Sequence, residues 1–427
     1  RAQFLRRLGA AQAEAPDLAE AHQALADSYR TEHEAAEARG DHAAAAAAEV
    51  FLRSHDRQGR HRGYLDGTGS LTLRSEVPAT HAVLERMTLH ERRLVAVPET
   101  DLGVLPLVDV PIGHGSWRIT LTAADRPPVH LPLFVARQEA AGLVDPDGVE
   151  HALPMPRSLP PSSCYVPPGW ARLGGDEAVP CGPRQRLWVD GFFIDEHPVT
   201  CGAYLRFLDA LVAADRTDEA LRHAPRERGA GGEEGALIVG FDGTHFSLQP
   251  DADGDQWVDD APVLMIDGHA AQAFADWKAA TTGEPWRLPT EWEWEKAARG
   301  ADGRPWPSGP HADPSWVCLR ASHVGSPRPP AVGEYPLDVS PYGVKWLAGG
   351  VRDWCCDLGA ETVPTTDGQR APGPCRIEGD HPRVYRGGDW YGLPVHARAA
   401  YRAWNNPETK NYSLGFRLVR SLVDRDR

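Results

Sequence analysis

Apolar and polar positions change their period along this 427-residue chain, and each period predicts a different kind of element. Up to residue 56, Leu18, Ala21, Leu25 and Tyr29 recur at the i, i+3, i+7 spacing of one helix face, in a background of Ala, Glu and Arg. The pattern predicts a first helix around Phe4, Leu5 and Leu8, a second starting at Pro16, and an alanine-rich third beyond the Gly40-Asp41 break. From residue 63 to 138 the period falls to two. Trp117, Ile119 and Leu121 alternate with polar residues, as do Leu71 and Leu73, which predicts a small antiparallel β domain. Pro132 interrupts the run Val129 to Val135 and marks it as an edge strand. Residues 139–163 carry Pro146, Pro154, Pro156, Pro160 and Pro161 and read as an extended linker, leaving 164–421 as the main domain.

The first segment resembles one helical-repeat hairpin, such as a tetratricopeptide unit. A single copy leaves two uses open, a spacer or oligomerisation arm and a peptide-binding groove. The β segment, with Glu76-Val77-Pro78 after its first strand and the run Gly113 to Arg118, resembles the PEGA-type modules of bacterial signalling proteins.

Composition removes several classes of function. Sixty acidic against 45 basic residues leave a formal charge of −15, which argues against nucleic acid and anionic membrane as partners. No apolar run reaches the roughly 20 residues of a bilayer crossing, and no signal-peptide core opens the chain. Seven cysteines, with Cys355 and Cys356 adjacent, are too few for a disulfide framework, so a reducing, cytoplasmic bacterial setting is expected. The chain starts at Arg1 rather than Met, as expected of a fragment of something longer. Forty-two Gly, 38 Pro and 14 Trp against 3 Met predict a turn-rich domain with aromatic anchors rather than a helix bundle.

The third part carries the motifs. Phe192 to Thr200 leads into a helix bearing Tyr204, Phe207, Leu208 and Leu211, and Ala261-Pro262-Val263 precedes another with Ala273, Phe274 and Trp277. The run from Trp286 to Gly300, WRLPTEWEWEKAARG, follows, and Thr290 with Glu293 has the spacing of a capping box. Next come Tyr342-Gly343, Leu347 to Trp354 (LAGGVRDW), Val384 to Trp390 (VYRGGDW), Asn405-Asn406-Pro407 and Leu414 to Leu418 (LGFRL).

This ordered set resembles the formylglycine-generating enzyme, or sulfatase-modifying factor, family. The resemblance implies an α+β, C-type-lectin-like fold with little regular secondary structure, preceded here by the helical segment and the β domain. It also implies copper(I) held by two thiolates in the loop after the Gly-Gly pair, a pairing of soft metal with soft sulfur. Gly387-Gly388-Asp389-Trp390-Tyr391 is instead followed by Gly392 to Arg398 without a cysteine, so this oxidase chemistry is not expected. Calcium is the cofactor left open, at Gly349, Val351 and Asp353, although Trp346 stands where the family has an asparagine ligand. Asp251 to Asp255 has its glycine at the wrong position for a calcium loop and reads as a hairpin turn. No His-x-x-x-His with a third ligand is present, which removes the iron module of the sulfoxide-synthase branch.

The favoured function is therefore a non-catalytic module binding a protein or peptide, the sensor or scaffold part of a larger bacterial signalling protein with an upstream serine/threonine kinase domain. Asp389, Trp390, Tyr391, Leu393, His396, Tyr401, Trp404, Asn405, Lys410, Asn411 and Tyr412 form one stretch rich in aromatic and amide groups, the composition of a paratope. The stretch also resembles the variable segment of retroelement-diversified binding proteins. The alternative is a metal-dependent oxidase of cysteine-containing protein substrates with a relocated site, for which Asp389, His396 and Asp353 are the candidate ligands. Arg299 and Arg417 are expected to pair with carboxylates or carbonyls inside the domain.

Overall fold

A computed structural model describes residues 17–227, 235–250, 257–363 and 365–426. The helix expected around Phe4 to Leu8, the Pro16 start and the Asp251–Asp255 turn lie outside them. The chain divides into two compact units, one formed by residues 1–72, 108–115 and 135–141, the other by 73–107, 116–134 and 142–427.

In the first unit, helices Ala19–Arg39 and His42–His55 are separated by Gly40, whose left-handed φ of 70° ends one helix. Asp41 starts the next by accepting a hydrogen bond from the Ala44 amide at 3.0 Å. Ala26, Leu52, Tyr64 and Leu65 form its small core. Arg137 ties the hairpin together by pairing with Glu37 at 3.0 Å and Glu49 at 2.7 Å. A three-stranded sheet orders Leu107–Ile112, Gly69–Leu73 and Ala140–Gly142.

The second unit holds a four-stranded sheet in the order Arg93–Val104, His81–His90, Gly115–Thr122, Val129–Val135. Trp117, Ile119 and Leu121 are buried, as their alternation requires, and the strand containing Pro132 sits at the edge, where a missing amide donor is tolerated. The remainder builds two further four-stranded sheets. One orders Trp286–Arg287, Val419–Ser421, Phe192–Asp195 and Ser163–Val166. The other orders Arg402–Asn405, Arg383–Arg386, Arg352–Leu358 and Leu414–Gly415, its last pairing parallel. Helices Cys201–Ala213 and Gly268–Thr282 press Tyr204, Phe207, Leu208, Leu211 and Phe274 into a shared core with Phe416 and Leu418.

The helix Glu291–Arg299 organises this domain. All nine of its residues are buried, charged ones included, so each charge must find a partner inside the protein. Glu291 accepts from Arg402 at 2.7 Å, Glu293 from Arg287 at 2.6 Å, and Glu295 from Arg299 at 2.6 Å and from Arg386. Lys296 donates to the carbonyls of Pro167, Gly169 and Val189 at 2.8–3.1 Å. Both halves of the Thr290–Glu293 capping box form. The WEWEK motif is thus the electrostatic hub of the fold.

The seven cysteines, too few for a disulfide framework, include one bridge, between Cys356 and Cys375. Cys164, Cys181, Cys201, Cys318 and Cys355 are free. No described helix is long and apolar enough to cross a membrane.

Candidate functional site

The strand Arg352–Leu358 positions the candidate site, because alternation sends neighbouring side chains to opposite faces. Asp353 turns inward, fully buried. Its Oδ2 accepts from Arg417 Nε at 2.6 Å and from Trp294 Nε1 at 2.8 Å. Arg352 emerges on the other face and pairs with Asp389 at 2.7 Å. The same guanidinium lies 5.5 Å from the Tyr385 ring and 5.7 Å from the Tyr401 ring, and His396 packs 5.0 Å from Tyr401. Burial, helped by the Arg352 charge, lowers the basicity of His396, while burial pushes the Tyr401 hydroxyl up.

Two glycines bring the Asp389 loop against this strand. A Cβ at Gly388 would stand 2.2 Å from the Ala348 carbonyl oxygen, and Gly387 has φ 91° with Trp294 only 3.1 Å from where its Cβ would be. Asp389 then closes a turn, Oδ1 accepting from the Tyr391 amide at 3.0 Å and its carbonyl from Gly392 at 2.9 Å. Trp390 is fixed at both ends, its amide donating to Gly350 O at 3.0 Å and its indole to Tyr412 O at 2.8 Å. The rings of Trp390, Tyr391 and Tyr412 meet edge to face with centroids 5.7–5.9 Å apart, and Arg320 stacks over Tyr391 at 4.9 Å. Tyr391 is 40% and Tyr412 47% exposed, so this rigid aromatic triad faces solvent, with Leu393 exposed on the same loop.

Of the eleven residues singled out from sequence, the structure thus gathers Asp389, Trp390, Tyr391 and Tyr412, and joins Tyr401 and His396 to them through Arg352. Others hold the chain's shape. Asn405 Oδ1 accepts from the Asn406 amide at 2.9 Å, Asn411 Oδ1 from the Ser413 amide at 2.8 Å, and Lys410 donates to the Arg222 carbonyl at 3.2 Å. Trp404 stands on the edge strand over Arg402. Arg320 and Arg352 were not anticipated. Nothing in their local spacing ties Arg352 to Asp389, 37 positions away, or Arg320 to Tyr391, 71 positions away.

The donors for a metal fit poorly. At the calcium candidate, Asp353 is the only carboxylate of the three residues and is already neutralised by Arg417, while the Gly349 carbonyl accepts from the Val351 amide at 3.1 Å. Gly349, Val351 and Asp353 by themselves offer fewer oxygens than the six to eight of a calcium shell. The nearby carboxylate Asp338 is also committed, accepting from the Gly349 amide at 3.1 Å. The thiolate pair that copper(I) needs is not found in the loop after Gly388, where the chain has no cysteine. Asp353, Asp389 and His396 do not converge. Among the described residues the one group of three potential ligands is Cys356, Asp357 and Cys375.

A cavity of about 740 Å³ opens elsewhere in this unit, beside helices Cys201–Ala213 and Gly268–Thr282, with Trp277, Trp286 and Lys278 in its wall. In its wall Lys278 pairs with Asp195 at 3.2 Å, and Arg420 with Glu284 at 2.7 Å and Asp426 at 3.0 Å.

Residues 150–422, more than half of the chain, match the sulfatase-modifying factor enzyme 1-like domain. The chain belongs to this family. The C-type-lectin-like α+β architecture expected from the motifs is the architecture observed. Among its relatives, the serine/threonine-protein kinase Pkn1 of Chlamydia trachomatis is 27% identical over 278 residues, which cover 64% of this chain and 40% of the kinase. The hercynine oxygenase of Mycolicibacterium smegmatis is 29% identical over 306 residues, covering 64% of this chain and 65% of the oxygenase. The chain therefore spans less than two-thirds of either. Among solved structures, Treponema denticola variable protein 1 superimposes with a TM-score of 0.41 at 19% identity, covering 61% of this chain and 95% of that one.

Proposed function

We propose that this member of the family is a non-catalytic binding module, which captures a protein or peptide on the surface formed by Trp390, Tyr391 and Tyr412. The observation that carries the reading is the solvent-facing aromatic triad, held by backbone hydrogen bonds at both ends of Trp390. Aromatic side chains fixed in this way offer large contact area at little cost in conformational entropy, and a neighbouring guanidinium supplies orientation. The same loop lacks the thiolates of the family's oxidase, which supports binding over that chemistry. The kinase relative supports a place as the sensor or scaffold part of a larger signalling protein that carries a kinase domain. Selection of a phage-displayed random peptide library on the full chain tests the proposal. It expects peptides whose binding is lost on Tyr391→Ala, and selections insensitive to that change would reject it.

One observation favours the second reading, a cysteine-directed oxidase with a relocated metal. Cys318 Sγ lies 3.6 Å from His323 Nε2, and the Cys318 carbonyl accepts from Gly350, which in turn accepts from Trp390. Burial pushes the Cys318 thiol up to about 12, so it is protonated and a poor ligand as it stands. Oxygen uptake on a cysteine-containing peptide after copper(I) loading, lost in Cys318→Ser, would establish this reading in place of the first.

A further inference from the structure

The Cys356–Cys375 bridge stands beside a carboxylate. One sulfur from each cysteine and one Asp357 oxygen lie within 4.8 Å of one another. On a regular strand Cys356 and Asp357 would point to opposite faces. Here the pairing of Arg352–Leu358 with Arg383–Arg386 shifts register between Trp354 and Leu358, and the irregularity lets both side chains share one side. We propose that Cys356, Cys375 and Asp357 form a zinc site that becomes available when the bridge is reduced.

Opening the bridge needs one external reductant, a dithiol. A dithiol passes two electrons and two protons to the S–S bond, yielding two cysteine thiols and the oxidised dithiol. Zinc then displaces the two thiol protons as it binds. Two thiolates at about 2.3 Å and one carboxylate oxygen at about 2.0–2.2 Å supply three tetrahedral positions, leaving the fourth to water.

The three ligands stay in place once the covalent link is gone, because each is anchored separately. Cys356 is held through its amide to Pro289 O at 3.0 Å and its carbonyl to Arg383 at 2.9 Å. Asp357 Oδ2 accepts from the Glu291 amide at 2.6 Å. The segment bearing Cys375 is pinned by Arg376 on Asp276 at 2.7–2.9 Å and by the Ile377 amide on Gln272 at 3.1 Å.

Cobalt(II) is the probe, added to the full chain before and after reduction by a phosphine. Thiol titration under denaturing conditions should first read five free cysteines and then seven. The proposal expects one cobalt per reduced chain with a thiolate charge-transfer band, displaced by zinc and absent from the oxidised chain. Cys375→Ser should lose the band. Asp357→Asn keeps an acceptor for the Glu291 amide and should weaken cobalt binding with seven thiols still present. A reduced chain with seven thiols and no band would leave a structural bridge only and overturn the proposal. So would cobalt affinity unchanged in Asp357→Asn, which decides the matter even where Cys375→Ser does not fold.

Discussion

Arg417 Nε lies 2.6 Å from Asp353 Oδ2, and neither side chain reaches solvent. The remaining guanidinium nitrogens donate to the carbonyls of Lys345 at 3.0 Å and Trp346 at 3.2 Å. The pair joins the strand Arg352–Leu358 to the LGFRL segment and the loop before Gly349. Removing one partner strands the other charge in the core, at a cost of about 3–5 kcal/mol. Arg417→Met is therefore expected to lower the chemical-denaturation midpoint far more than any substitution in the aromatic triad, and equilibrium unfolding measures the difference.

A second prediction concerns pH. Asp338 is buried, and desolvation pushes its carboxyl up to about 7 from 3.8, against the opposing hydrogen bonds from Ala348 and Gly349. A folded-state pKa above the unfolded one means that the native protein binds the proton more tightly. Its contribution to stability is whole below about 4 and is lost as pH rises through about 7. Asp338→Asn should flatten the fall in unfolding free energy across that window. A remainder is expected from Asp357, also raised to about 7. An unchanged slope in the variant would remove Asp338 from the account.

Arg352 links stability to the surface. It neutralises Asp389, whose side chain is 4% exposed, and packs on Tyr385 and Tyr401. Arg352→Met should destabilise the domain and loosen the Asp389 turn that presents Tyr391. Adding Asp389→Asn to it should recover part of the loss, since the stranded charge goes too. A double-mutant cycle with no coupling would contradict the pairing.

Much of the fold was legible because its signals are local. The capping box at Thr290 and Glu293, the alternation at Trp117, Ile119 and Leu121, and the edge strand at Pro132 each rest on neighbours in the chain, and each is found as read. The aromatic triad was partly legible, since Trp390 and Tyr391 sit beside the Gly387-Gly388 signature. What failed was long-range. Arg320 reaches Tyr391 across 71 positions and Arg352 reaches Asp389 across 37, and no periodicity encodes such pairs. Asp353 carries the calcium expectation by its motif position, but its partner Arg417, 64 positions on, is brought beside it by a parallel strand pairing that no local spacing announces. Adjacent Cys355 and Cys356 drew attention to each other, but the strand separates them and the bridge goes to Cys375.

The central claim, capture of a peptide or protein by the aromatic triad, is tested most directly by titrating a library-selected peptide into the chain and into Tyr391→Ala in a calorimeter. A central aromatic anchor contributes about 2 kcal/mol or more, so affinity should fall by roughly 30-fold or more while the unfolding midpoint stays close to that of the parent. Equal affinity in the two proteins would place the binding surface elsewhere and contradict the account.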